Sequence, residues 1–312
     1  MDPTLSIQLP TFAAEPPDSW APVLDLAATA DAVGVDRLYV SDHVVFGEEL
    51  ETYADPMQGG TAGGRQPTGP DGHWLDPLTV LSVLAGTTQR IRLGTAILLA
   101  ALRTPAALAK QVATLDVLSS GRLDLGVGVG WQRAEYDACG LPFHRRGDLL
   151  DHTLSVCQKL WTEPVTAVHD EFLDVERIHA MPKPVQAGGV PIWVSGRIND
   201  RTVRRVVRFG SGWIPWGDHI ADPGPGIDAL HRALDEAGRS GDDLAVQGSL
   251  VVQRDGDQVD LARTFERLPS LLDAGVTDVK LVHRWPVDPQ QAPAVRALLT
   301  EAVERFAERT AR

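Results

Sequence analysis

Two cysteines, Cys139 and Cys157, are all that the 312 residues contain, too few for a disulfide framework. Neither has a His or Cys partner at metal-ligating spacing, so both read as small core residues in a reducing compartment and no metal is expected. Long apolar runs are missing as well. The longest, from Leu93 to Leu102, lies between Arg92 and Arg103 and has half the ~20 residues that a membrane-spanning helix needs. Met1 to Pro10 carries an acid and no base, so a secretory signal is not expected, and the cytoplasm is the expected location. Positive charge is outnumbered: 29 Lys and Arg against 42 Asp and Glu give a formal net charge of -13, which argues against a nucleic-acid partner because a phosphate backbone demands a strong basic patch. A Walker loop and a Gly-x-Ser-x-Gly elbow are also absent, and no Gly-x-Gly-x-x-Gly follows the first apolar stretch as a dinucleotide fold requires.

What is present has the composition of an ordinary globular chain, 43% hydrophobic and 23% charged, with ample apolar surface for a large core. Its length admits two domains or one large α/β barrel, and the order of the segments decides between them. Apolar stretches at 5–9, 37–40, 91–99, 123–129, 191–195, 212–215, 245–252 and 278–283 read as strands. Between and after them, 20–33, 77–86, 105–118, 146–161, 200–209, 226–237, 261–274 and 291–309 read as helices. Asp76 is placed to cap the second of these, and Pro105 and Gly121 bracket the third. Residues 47–73, rich in Gly and Pro, read as a loop, while 131–140 reads as a short helix and 165–175 as a small hairpin outside the main sheet. Eight strands alternating with eight helices predict parallel strands and right-handed crossovers, hence a (β/α)8 TIM barrel over 1–312 as one domain, with insertions after strands 2 and 4.

Barrel active sites lie at the carboxyl ends of the strands, so the residues there are the candidates. Asp42 and His43 end the second strand, and imidazole is the side chain whose ordinary pKa suits acid/base work near neutrality. Ala96 and Ile97 follow the third strand, and Gly128, Gly130 and Trp131 the fourth. Ser195, Gly196 and Arg197, leading through Asn199 and Asp200 into a helix, read equally as an anion site and as an ordinary connection capped by Asn199. Trp216, His219 and His283 end later strands and, with Trp131, are substrate candidates. The run Arg201, Arg204, Arg205 and Arg208 reads as a solvated helix face.

Several runs in fixed order resemble the bacterial luciferase-like family, and within it the deazaflavin-dependent oxidoreductases. They are 34–43 ending in Ser41-Asp42-His43, Asp76-Pro77-Leu78-Thr79, Arg90-Ile91-Arg92-Leu93-Gly94-Thr95, and Pro105 with Leu108-Ala109-Lys110. Ser119-Ser120-Gly121-Arg122-Leu123, 125–131 with Glu135, Lys183-Pro184 before Pro191-Ile192-Trp193-Val194, and Gly212-Trp213 continue the match. The resemblance implies a barrel that holds coenzyme F-420, an 8-hydroxy-5-deazaflavin, or alternatively FMN, across its mouth. It implies Asp42 and His43 beside the ring, a non-prolyl cis peptide at Ala96-Ile97 behind the ring, Gly128 and Gly130 at the fourth strand end as cofactor-binding residues, and Ser195 to Arg197 at the phosphate; in the mechanism expected here, Asp42 orients His43. Glu135 matches a recurrent family Glu and is expected to pair with a base such as Arg146. Trp131 stands where sugar-phosphate dehydrogenases of the family place a catalytic Glu, which argues against a sugar-phosphate substrate. The expectations are a homodimeric enzyme moving a hydride between F-420 and a small organic molecule, an FMN monooxygenase as the alternative, and a barrel that binds the ligand without turnover as a third reading.

Overall fold

The computed structural model describes residues 1–56 and 60–310. Eight parallel strands close into a barrel: β1 (Thr4–Gln8), β2 (Arg37–Val40), β3 (Arg92–Thr95), β4 (Leu123–Val127), β5 (Ile192–Gly196), β6 (Gly210–Pro215), β7 (Ala245–Val251) and β8 (Asp278–Val282). Closure comes from β8 pairing with both β7 and β1, with Lys280 level with Ser249 on one side and Ser6 on the other. Helices α1 (Ala21–Val33), α2 (Pro77–Thr87), α3 (Pro105–Leu118), α4 (Arg133–Ala138), α5 (Arg146–Thr162), α6 (Asp200–Phe209), α7 (Gly224–Glu236), α8 (Leu261–Phe265), α9 (Leu268–Asp273) and α10 (Ala292–Thr310) lie between and after the strands. The predicted (β/α)8 architecture is the observed one.

The alternation of side chains along each strand makes two cores. Leu5, Ile7 and Leu9 of the first strand segment are buried among the apolar residues of the helical layer, as are Val279 and Leu281 of β8. The opposite parity faces the barrel axis and is polar at the amino-terminal end. Asp278 accepts from Thr4 Oγ1 at 2.9 Å and Arg37 Nη1 at 2.8 Å on one oxygen, and from Ser6 Oγ and Tyr39 OH, each at 3.0 Å, on the other. Arg37 also donates to Asp124 at 2.9 Å, which Arg92 clasps with two bonds of 2.7 Å. This network fills the lower barrel, so an open site is left at the carboxyl end.

Several element boundaries differ from the sequence reading. The strand expected over 91–99 stops at Thr95, and the chain rejoins the sheet only through an isolated bridge from Leu98 to Val127. The helix expected over 261–274 is two short helices, with Pro269 in the first turn of the second. The 47–73 stretch is not all loop: Leu50–Ala54 forms a 3-10 turn, and His73–Trp74 pairs antiparallel with Phe12–Ala13; its residues 57–59 lie outside the described residues. The expected hairpin forms between Thr166–His169 and Asp174–Ile178. A second hairpin, Gln253–Asp255 with Gln258–Asp260, turns at Gly256, whose φ of 58° is the signal for it. Among the described residues no helix is long and apolar enough to cross a membrane.

Candidate active site

A cavity of about 500 Å³ opens at the carboxyl ends of the strands, within the range of pockets that hold a drug-sized ligand or a cofactor ring. Its back wall is the segment after β3. The Ala96-Ile97 peptide is cis, and Leu98 N donates to Gly126 O at 2.7 Å. Gly128 faces this segment so closely that a Cβ would lie 2.9 Å from Ile97 Cδ1. Glycine there keeps the wall flat.

Asp42 and His43 both line the cavity, but they serve different partners. Asp42 Oδ2 accepts from Leu99 N at 2.8 Å and Arg103 Nη1 at 2.6 Å, and its other oxygen accepts from Arg103 Nη2 at 3.1 Å. Asp42 therefore anchors the segment after β3 and does not orient His43, because successive residues leaving a strand point apart. His43 Nδ1 instead meets Glu135 Oε1 at 3.2 Å, and the same oxygen accepts from Val44 N at 2.9 Å. A carboxylate only accepts, so Nδ1 carries the proton and Nε2 is the nitrogen left for a ligand. Glu135 is 1% exposed. Its expected pairing with Arg146 does not occur: the Arg146 guanidinium lies 4.1 Å from the Phe143 ring centroid and donates to Phe143 O. The His43 ring is packed by Phe46 at 4.3 Å and by the edge of Trp74 at 4.8 Å.

The opposite wall carries Ser195, Gly196 and Arg197 at the end of β5, all lining the cavity. Gly196 has a φ of 156°, a conformation that side chains disfavour. Asn199 caps α6 by accepting from Arg201 N and Thr202 N, so those first helical N–H groups are already satisfied. Positive charge on this wall comes from side chains. Arg197 has its Nε buried without a partner and an Nη2 3.7 Å from Asp218. Arg146 also lines the cavity with a buried, unpartnered Nε; burial, with Arg133 and Arg201 nearby, pushes its pKa down from the usual arginine value. Arg205, expected on a solvated face, is buried, ion-paired to Asp151 and part of the cavity wall, while Arg201, Arg204 and Arg208 are exposed.

Aromatic groups close the mouth. Trp131 and Trp216 line it with Tyr53 between them, at ring distances of 5.3 and 6.1 Å. Trp216 Nε1 donates to Gly60 O at 3.0 Å, which fastens the 47–73 stretch to the end of β6. Gly130, also in the lining, has a φ of 70°. His219 and His283 do not line the cavity, contrary to the sequence reading. The 3-10 turn Gly217–Ile220 carries His219 against the Trp213 ring, and His283 has the parity opposite to Lys280 and packs against Trp285. Lys280, Gln8, Gln247 and Ser249, which the sequence reading passed over, line the inner end. Their signal was present as polar residues at alternate positions of otherwise apolar strands.

Known proteins resemble this chain in sequence or in fold. An uncharacterized protein of Mycobacterium tuberculosis is 36% identical over 169 residues, which span 54% of this chain and 58% of that protein. An F-420-dependent secondary alcohol dehydrogenase, solved with an F-420–acetone adduct, superposes with a TM-score of 0.72 at 15% identity and covers 97% of this chain and 99% of its own. The oxygenating constituent of 3,6-diketocamphane monooxygenase from Pseudomonas putida, solved with FMN, gives 0.71 at 16% identity, with 97% of each chain covered. At these identities the two structures establish likeness of fold alone. The luciferase-like monooxygenase family matches residues 4–283, nearly the whole barrel, and the chain belongs to that family.

Proposed function

We propose that the protein is an F-420-dependent oxidoreductase that transfers a hydride between the deazaflavin C5 and a small organic substrate, working in the cytoplasm as a homodimer. The observation that carries the reading is His43, held at Nδ1 by buried Glu135 with Nε2 left for a ligand, beside a flat wall suited to a planar ring. The residues present fit such a cofactor. Ala96, Ile97, Gly128 and Gly130 offer a face with no protruding polar group. Ser195 and Gly196, with the guanidinium groups of Arg197 and Arg146 in the cavity wall, offer the donors and the charge that a phosphate needs.

When bound, the deazaflavin supplies the hydride chemistry, and the protein supplies position, electrostatics and a dry site. Asp42 and Arg103 fix the segment behind the ring. Trp131, Trp216 and Tyr53 restrict water at the mouth. His43 Nε2 accepts or delivers the proton at the substrate oxygen, and Glu135 steadies the charge on the imidazole as it forms.

The second reading, FMN-dependent monooxygenation, is supported by the fold likeness to the FMN-bound Pseudomonas enzyme. Purified protein titrated separately with F-420 and FMN separates the two. The expected result is tighter F-420 binding and a reduced complex that stays reduced in air until an organic acceptor is added. Oxygen consumption with FMN and a reductant, together with no F-420 binding, would replace the first reading by the second.

A further inference from the structure

The chain has four lysines, Lys110, Lys159, Lys183 and Lys280. Three of them donate to backbone carbonyls, of Met181, Ala167 and Leu160 respectively. Lys280 has no such partner among the described residues, and it is the one that projects into the barrel and lines the cavity. Asp278, one inward step below it, attracts it only at a distance. Both oxygens of that carboxylate are taken by Thr4, Ser6, Arg37 and Tyr39, with Gln247 Nε2 at 3.4 Å as a further donor. Burial lowers the lysine's pKa, opposed by Asp278.

Two more polar side chains share the wall. Ser249 on β7 is level with Lys280 on β8, and Gln8 on β1 stands one inward step above Ser6, the residue level with Lys280 on its other side. All three line the cavity, and none makes a side-chain hydrogen bond among the described residues. An ammonium, an amide and a hydroxyl on adjacent strands thus face the cavity with solvent as their only partner, and each is costly to desolvate unless what replaces the solvent can hydrogen-bond to it. A ligand that fills the cavity expels solvent from the Lys280 Nζ and must itself bring the acceptor.

We propose that Gln8, Ser249 and Lys280 form a subsite for a carboxylate, so that the substrate is a small organic acid. This rests on the oxidoreductase reading for the word substrate, and on the geometry alone for the binding of the anion. A carboxylate offers two oxygens with about four acceptor positions, and the three side chains supply donors to meet them from one side. The rest of the acid lies toward the mouth, between this wall and the His43 side.

The test uses benzoate and its neutral counterpart benzamide, titrated into the full-length protein by calorimetry without cofactor. The expected result is benzoate binding at least tenfold tighter than benzamide. Lys280→Met should erase that preference and Ser249→Ala should reduce it severalfold, with F-420 or FMN affinity changing less than twofold. A preference that survives Lys280→Met, or no preference in the unaltered protein, overturns the subsite. Lost cofactor affinity with unchanged benzoate binding overturns it too, by making the lysine a cofactor ligand. If Lys280→Met does not fold, isotopically labelled lysine ε-methylene signals decide: benzoate must shift the signal that is missing from Lys280→Arg, and an unmoved signal ends the proposal. Failure to bind either cofactor would sink the oxidoreductase reading and leave the benzoate result standing.

Discussion

His43 carries the sharpest expectation at the scale of single residues. Replacing it by Ala should lower kcat about 100-fold, the usual size of a positioned general acid or base, while the cofactor Kd changes little. Turnover within a factor of a few of the unaltered enzyme would remove the role. Glu135 acts through His43 at 3.2 Å, so it is a positioning residue. Glu135→Gln should lower kcat about tenfold and alter the pH profile of kcat, leaving KM and melting temperature nearly unchanged; equal loss of stability and activity would make Glu135 merely structural. At the opposite wall, Gly196→Val puts a branched side chain at a φ of 156°, where a Cβ would already lie 3.1 Å from Thr202 Oγ1. Cofactor affinity should fall at least tenfold with an unchanged circular dichroism spectrum, and unchanged affinity would place the phosphate elsewhere. His43 and Gly196 were legible as strand-end residues. The Glu135 contact was not, because its partner lies 92 positions away in the chain.

Among the elements, β2, β3 and β4 are joined at their starts by Asp124, which receives Arg37 and Arg92. Burial raises the Asp124 pKa, but the two guanidiniums outweigh it and hold the carboxyl below the ordinary range. A depressed folded-state pKa means that the stabilisation is complete above the unfolded value, about 4, and is lost as the pH falls through the folded value. Asp124→Asn should therefore cost about 3 kcal/mol at neutral pH, as breaking a buried ion pair does, and progressively less below about pH 4. Urea unfolding at both conditions checks it, and a pH-independent difference would show that packing alone is at stake. Helix starts were readable here because the capping chemistry is local: Asp76 accepts from Thr79 N at 2.8 Å and Asn199 from Thr202 N at 3.1 Å. The early end of β3 was not, since the residues beyond Thr95 are as apolar as those before it.

Across the whole molecule, α2 and α3 leave apolar side chains on the outer surface. Val83 is 45% exposed and Leu118 62% exposed, in a protein whose charge of -13 otherwise favours solvation. We propose that these helices meet their counterparts in a symmetric dimer. Light scattering at micromolar concentration should give twice the chain mass, and Leu118→Glu should halve it. A monomer in the unaltered protein would end the proposal.

The order of strands and helices, and from it the closed parallel barrel, followed from the sequence because periodicity, Pro and Gly act over a few residues. The same local chemistry placed Asp42, His43, Gly128 and Ser195 to Arg197 at strand ends, and all of them line one cavity. Which side chain meets which was decided only by the closure of the barrel. Arg103 took Asp42, Glu135 took His43, and the parity of β8 turned Lys280 inward and His283 away. Side-chain pairing depends on distance in space between elements far apart in sequence, and a register change of one residue would have inverted every inward and outward position on β8.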